Sequence, residues 1–261
     1  MKEVQEHAPG TFCWVELGTT NSEAAKRFYN SLFGWSIEDL PDSSGMVYTL
    51  LQVEKSDIAA LYQMSAEQQS QGISPNWLSY VSVKSADEAA ARAKELGGKV
   101  MMGPADVPGA GRLAVMSDPQ GALFAVWQPG HHIGARIVNE PRTLCWNELV
   151  TFDEQAAIEF YTSLFGWKAQ ALPMESMSYT VFQNGERPAG GCMKITPSMG
   201  PVPPHWLVYF AVEGCDEMVE KAKSAGGTVL VQPTDIPRIG RFSVLQDPQG
   251  AAFAVIRLSQ S

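Results

Sequence analysis

The sequence predicts an α+β chain of two homologous domains in tandem, each assembled from two βαβββ units. The octamer FYNSLFGW at Phe28 returns as FYTSLFGW at Phe160, 132 positions on. The stretch GRLAVMSDPQGALFAV from Gly111 returns as GRFSVLQDPQGAAFAV from Gly240, so the offset has fallen to 129. Within each copy the apolar residues switch between helical and strand spacing, with turn residues between them. Domains are expected over 9–129 and 141–258, joined by a linker at 130–140 that has Pro and Gly at its edges and no apolar period. Each half is long enough to bury a core of its own.

The elements follow in order. TFCWVELGT, from Thr11, is a strand by its β-rich composition. Asn21 is placed to cap a helix, with Asp153 as its counterpart. Ala24, Ala25, Phe28, Tyr29 and Leu32 recur at helical spacing, and Gly34 ends the helix as a left-handed residue. Trp35 opens the next strand, and MVYTLLQV and DIAALYQM supply two more. The second unit repeats this grammar. NWLSYVSV is a strand, Ser85 caps the helix ADEAAARAKEL, and Gly97-Gly98 stops it. GRLAVMS and ALFAVWQ are strands joined by DPQG, whose Asp118, Pro119 and Gly121 suit a type I turn. The second copy is expected to keep all of these signals.

Composition narrows the function. The 261 residues are 45% hydrophobic and 18% charged, with a formal charge of −9, as expected for a globular protein. No run of Lys or Arg provides the basic footprint that nucleic acid needs, whereas a cationic ligand suits this charge. MKEVQEHAPG has no apolar signal region and no stretch approaches a membrane span, so no membrane partner and a cytoplasmic location are expected. Cys13, Cys145, Cys192 and Cys215 lack metal or redox spacing, which suits reduced, buried thiols.

AAKRFYNSLFGW, AAIEFYTSLFGW, the GG helix stops and GRLAVMSDPQGALFAVW with its twin resemble the vicinal oxygen chelate superfamily. That group contains glyoxalase I, bleomycin-resistance proteins, fosfomycin-resistance enzymes and extradiol dioxygenases. The layout is similar to tandem glyoxalase-like antigens of mycobacteria and actinobacterial proteins called hydroxylases, which share WNEL, HIGA and GGCM, seen here at Trp146, His132 and Gly190. The resemblance implies that each half forms a curved sheet around a ligand cavity.

It also implies where a metal would sit in metal-dependent members: a donor early in the first strand, one opening the fifth, and a Glu late in the eighth. Here the first position falls on Trp14 and Trp146, and the last on Ala125 and Ala254. The fifth-strand position falls near Asn76-Trp77-Leu78 and His205-Trp206-Leu207, where only His205 is a good donor. No metal site and no cofactor are therefore expected; the alternative is a divalent metal held in part by His205.

On a strand, residues i and i+2 share a face. Trp14 and Glu16 therefore point together, as do Trp146 and Glu148. Each Glu is either a carboxylate that orients a ligand or acts as a base, or a structural group: a rim carboxylate or a partner for Arg112 or Arg241. On the fifth strand of the second half, either His205 and Tyr209 face the cavity or Trp206 does; the first half offers Asn76 and Tyr80. The expected catalytic candidates are Glu148, His205 and Tyr209. The expected ligand contacts are Trp14, Glu16, Asn76, Tyr80, Trp127 and Trp146, with Trp77 and Tyr209 as further stacking surfaces. Asp118 and Asp247 are read as turn residues, and His131-His132 as linker.

These residues favour a metal-free binder of a small planar or cationic molecule. The alternatives are a glyoxalase-type lyase or isomerase, a dioxygenase or hydroxylase acting on a small carbonyl or aromatic substrate, or a non-catalytic interaction protein. The residues leave open whether the chain catalyses a reaction, and whether it is a monomer or a homodimer.

Overall fold

A computed structural model describes residues 1–41, 45–173 and 178–259. The first half runs β1 (Phe12–Thr19), α1 (Ser22–Phe33), β2 (Ser36–Pro41), β3 (Val47–Val53), β4 (Ser56–Gln63) and a short α2 (Ala66–Ser70). It continues with β5 (Asn76–Ser82), α3 (Ala86–Glu95), β6 (Lys99–Val107), β7 (Gly111–Ser117) and β8 (Leu123–Pro129). The second half repeats this as β9 (Leu144–Thr151), α4 (Glu154–Phe165), β10 (Lys168–Pro173), β11 (Ser178–Asn184) and β12 (Arg187–Lys194). Then come β13 (His205–Ala211), α5 (Cys215–Ser224), β14 (Thr228–Ile236), β15 (Gly240–Gln246) and β16 (Ala252–Leu258).

Each half forms one eight-stranded sheet, in the order β2-β3-β4-β1-β5-β8-β7-β6 and β10-β11-β12-β9-β13-β16-β15-β14. The two units of a half meet at their first strands, β1 against β5 and β9 against β13, both antiparallel. Local signals explain the helices. Asn21 and Asp153 accept hydrogen bonds from the backbone N–H of Ala24 and Ala156, and Gly34 and Gly166 close both helices at φ 68° and 72°. One expected signal is absent from the second copy. Ser85 caps α3 through its hydroxyl, but Gly214 stands at the matching position of α5 and offers no side chain. Gly at an N-cap costs only a few tenths of a kcal/mol, so the helix tolerates the loss.

The core does not divide at the linker, as two self-contained halves would require. Phe28, Tyr29, Leu32 and Phe33 of α1, with Trp35, pack against Phe210, Met218, Val219 and Phe253 of the second half. Phe160 and Tyr161 of α4, with Trp167, pack in turn against Ala90, Met116 and Phe124 of the first. Hydrogen bonds fix both crossings. The Tyr29 hydroxyl donates to Asp247 Oδ2 at 3.0 Å and accepts from Trp77 Nε1 at 3.0 Å. Its twin, Tyr161, donates to Asp118 Oδ2 at 3.3 Å and accepts from Trp206 Nε1 at 2.9 Å. The repeated octamer and the DPQG turns are thus partners across the halves. Asp118 and Asp247 do more than turn the chain.

The linker is also more than a tether. Ala135 and Ile137 are fully buried. The Ala135 N–H reaches Cys13 O at 2.7 Å and the Arg136 N–H reaches Asp57 O at 2.7 Å, so the segment crosses the first sheet. Its apolar residues are too few for a period, which is why spacing did not mark them. All four cysteines are free thiols, Cys145 with its thiol pushed up to about 12 by burial. No helix among the described residues is long and apolar enough to cross a membrane.

Candidate functional site

Alternation along β1 sends Val15 and Leu17 into the core shared between halves, and Trp14, Glu16 and Gly18 to the opposite face. Strand register extends that face. Trp14 lies beside Tyr80 on β5, which lies beside Ala125 on β8. Glu16 lies between Ala60 and Leu78, and Gly18 between Tyr62 and Asn76. A second apolar cluster lines it, with Trp14, Ala60, Tyr80, Ala125 and Trp127 buried and Tyr48, Leu50 and Leu78 packed at its margin.

At the centre stands a carboxylate held by phenols. Tyr48 donates its hydroxyl to Glu16 Oε2 at 2.6 Å and Tyr80 donates to Oε1 at 3.2 Å. Trp14 Nε1 donates to the Tyr48 hydroxyl at 3.3 Å. The second half builds the same group. Tyr209 donates to Glu148 Oε1 at 2.8 Å, Trp146 Nε1 donates to the Tyr179 hydroxyl at 3.0 Å, and Tyr179 stands near enough to Glu148 to help lower its proton affinity. Burial pushes both Glu16 and Glu148 above the usual carboxylate range, and the tyrosine donors pull part of the way back. The carboxylates in turn hold the phenols Tyr80 and Tyr209 protonated, adding to the effect of their burial.

Neither Glu has an arginine partner. Arg112 forks onto Asp87 and reaches Asp106, and Arg241 does the same with Asp216 and Asp235. The rim-pair reading of Glu16 and Glu148 is therefore corrected: their partners are tyrosines. Each carboxylate sits in an apolar surround with unused acceptor capacity, a setting that suits a cation or a proton donor.

The other candidates divide. Trp14, Glu16 and Tyr80 come together, as do Trp146, Glu148 and Tyr209. Asn76 shares their face one register step beyond Glu16, but its side chain donates to Ser74 O at 2.8 Å. Trp127 lies on the same face and donates to His132 O at 2.8 Å. His205 is opposite Val150, and its Nδ1 pairs with Pro203 O at 2.7 Å, so it does not join Glu148 and Tyr209. The Pro-rich loop before β13 holds it by that bond. Trp77 and Trp206 point to the core side, bonded to Tyr29 and Tyr161, and Trp77 is withdrawn as a stacking surface. Tyr48 and Tyr179 are the members of these two groups that sequence reasoning missed. Their signal was the repeat itself: each precedes a Thr, in VYTL and SYTV.

At the implied first- and eighth-strand metal positions stand an indole and a methyl in both halves, and of the residues at the implied fifth-strand position only His205 is a good donor, its Nδ1 paired with Pro203 O. Trp14 and Ala125 lie in one register row with Tyr80 between them, and Trp146 and Ala254 in the other with Tyr209 between them. None of these ligates a divalent ion at neutral pH. Among the described residues no cluster of three or more His, Cys, Asp or Glu could hold a metal ion.

Glycine gives the second site its room. A Cβ on Gly191 would run into the Tyr179 hydroxyl and lie 3.1 Å from Trp146 Nε1. Gly191→Ala is expected to push Tyr179 off Glu148 and to cost about 1–3 kcal/mol as overpacking. Near-ultraviolet circular dichroism of the aromatic bands should change while the far-ultraviolet spectrum does not.

Three comparisons bear on this geometry. The family model described as Glyoxalase/Bleomycin resistance protein/Dioxygenase superfamily matches residues 11–126 and 132–255. The chain is 41% identical over 259 residues to "Putative glyoxylase CFP32" of Mycobacterium tuberculosis, covering 98% of each. It is 35% identical over 263 residues to the anthracycline biosynthesis protein DnrV of Streptomyces peucetius, covering 97% of this chain and 95% of that one. The crystal structure of an Mn(II)-bound glyoxalase from Novosphingobium aromaticivorans superposes with a TM-score of 0.65 at 17% identity, covering 95% of this chain and 82% of that one. That likeness is one of fold.

Proposed function

The chain belongs to the glyoxalase/bleomycin resistance protein/dioxygenase superfamily, and on that footing we propose that it binds a small planar molecule bearing a cationic or proton-donating group, without a metal. The observation that carries the reading is the sunken carboxylate with no cation beside it, framed by two phenols and an indole, and built twice. The aromatic walls favour a flat ligand, and the carboxylate selects its donor group. The relative named as an anthracycline biosynthesis protein makes planar polycycles the first ligands to try.

The test is a thermal-shift series in EDTA with an anthracycline as probe. At a ligand concentration of about 100 Kd the gain is roughly 2.7 kcal/mol, or about 5–10 °C in Tm for a chain of this size. A shift that appears only when Mn(II), Ni(II) or Zn(II) is restored contradicts the metal-free reading. The affinity for a cation should also rise with pH as Glu148 ionises through its raised range.

A second reading rests on the same carboxylate. A buried Glu with its proton affinity raised can serve as a base beside a carbonyl, with Tyr209 and Tyr179 donating to the developing oxyanion. The relative named as a glyoxylase supports it. It requires turnover of a 2-oxoaldehyde–thiol adduct that is lost in Glu148→Gln; no turnover by the wild-type chain removes it.

A further inference from the structure

A third phenol stands beside Glu16. Tyr62 on β4 lies directly opposite Tyr48 on β3 and next to Gly18 on β1, so it shares the face that carries Trp14 and Glu16. Gly18 makes its place. A Cβ there would lie 2.9 Å from the Tyr62 hydroxyl and 3.2 Å from its Cζ, so the missing side chain lets the tip of the ring lie across β1. Exposure rises in the same direction. Trp14 and Tyr80 are buried, whereas Glu16, Leu78, Tyr62 and Asn76 are half-buried, so this face opens to solvent at its Gly18 end.

The phenol and indole donors of this face are committed, with one exception. Tyr48 and Tyr80 give their protons to Glu16, Trp14 Nε1 donates to Tyr48, and Trp127 Nε1 donates to His132 O. The Tyr62 hydroxyl instead accepts, from Gln68 Nε2 at 3.3 Å. The short helix α2 sets that direction. In its capping box the Ser65 N–H donates to Gln68 Oε1 at 2.9 Å, which turns the amide so that its N–H groups face Tyr62. An N–H cannot accept, so the Tyr62 proton points elsewhere, and among the described residues it has no acceptor. Burial holds that proton on the phenol, and the nearby Glu16 carboxylate adds to the effect.

We infer that this face reads two adjacent groups on a ligand: a donor received by Glu16 and, beside it, a neutral keto oxygen received by the Tyr62 hydroxyl. An anionic oxygen is disfavoured in that place, because it would lie against the Glu16 carboxylate in an apolar surround. The ligand class is therefore a planar ketone with an amino or hydroxyl group next to its carbonyl. This rests on the binding reading above. It makes Tyr62 a specificity-determining residue and Gln68 the residue that orients it.

The test is a matched pair of probes, 1-aminoanthraquinone and 1-aminoanthracene, titrated into metal-stripped protein and followed by quenching of tryptophan emission. Both carry the amine, and only the first carries a keto oxygen beside it. Tyr62→Phe is expected to weaken the anthraquinone about fivefold and to leave the anthracene unchanged. Gln68→Glu keeps a capping-box acceptor for Ser65 but turns a carboxylate oxygen toward Tyr62, which claims the proton while the phenol stays in place. It should weaken the anthraquinone by a similar factor, an effect that a packing role for Tyr62 does not produce. Equal weakening of both probes in Tyr62→Phe, or anthraquinone binding unchanged in either variant, overturns the inference and leaves the binding reading standing. No binding of either probe by the wild-type chain overturns the binding reading, and this inference with it.

Discussion

Asp247→Ala is expected to lower the unfolding free energy by about 3 kcal/mol, among the largest effects of any single polar substitution in the chain. The carboxylate is 3% exposed and serves three donors. Its Oδ1 accepts from the backbone N–H of Gln249 and of Ala251, each at 2.9 Å, and its Oδ2 accepts the Tyr29 hydroxyl at 3.0 Å. Alanine strands all three in a site closed by Phe28, Trp77 and Phe253. Burial holds Asp247 above the usual carboxylate range, so removing the charge returns part of that penalty, which keeps the estimate below the sum of three lost bonds. Tyr29→Phe should cost about 2 kcal/mol, because Trp77 Nε1 loses its acceptor and the buried Asp247 Oδ2 loses its donor. The double variant should show coupling between the two residues. Urea unfolding of the four forms checks this; additive losses would show that the crossing between halves is not a unit.

Glu148→Gln is expected to do the opposite for stability while weakening the proposed binding. Because burial raises the folded-state pKa of Glu148, the folded chain binds a proton more readily than the unfolded chain does. The contribution of this group is therefore fully present below the unfolded glutamate range and is lost as pH rises through the raised folded value. Glutamine carries no charge and cannot lose it. At pH 8 the variant should be as stable as wild type or more stable by about 1 kcal/mol, with Tyr209 still donating to the amide oxygen. Its advantage should shrink as the pH is taken down through the raised range. Unfolding curves at pH 5 and pH 8 decide it; a variant less stable at pH 8 would mean that Glu148 holds the sheet together rather than waiting for a ligand.

The fold was legible because its signals are local and repeated. Asn21 and Asp153 cap, Gly34 and Gly166 stop, and DPQG turns, each through bonds within a few residues. What the sequence could not convey was partnership across distance. The spacing of Phe28, Tyr29 and Leu32 marks a buried face but not the surface that buries it, and that surface belongs to the other half. Glu16 was found by strand alternation from Trp14, which the family resemblance had placed, whereas Tyr48 was not found, because β4 lies between β3 and β1 and the hydroxyl must reach over it. The pair that lets this happen, Ala60 in one half and Gly191 in the other, is small for that reason. His205 shows the reverse error. Its face was correctly allowed for, but a carbonyl two residues back holds the ring, and alternation says nothing about that.

The most direct test of recognition by the phenol-held carboxylates is a calorimetric titration of metal-stripped protein, in EDTA, with an anthracycline. Wild type should bind with affinity that rises as pH passes through the raised range of Glu148, and Glu148→Gln should lose binding at that site by at least tenfold while remaining folded. Binding that is absent until a divalent metal is restored, or that is unchanged in Glu148→Gln, would contradict it.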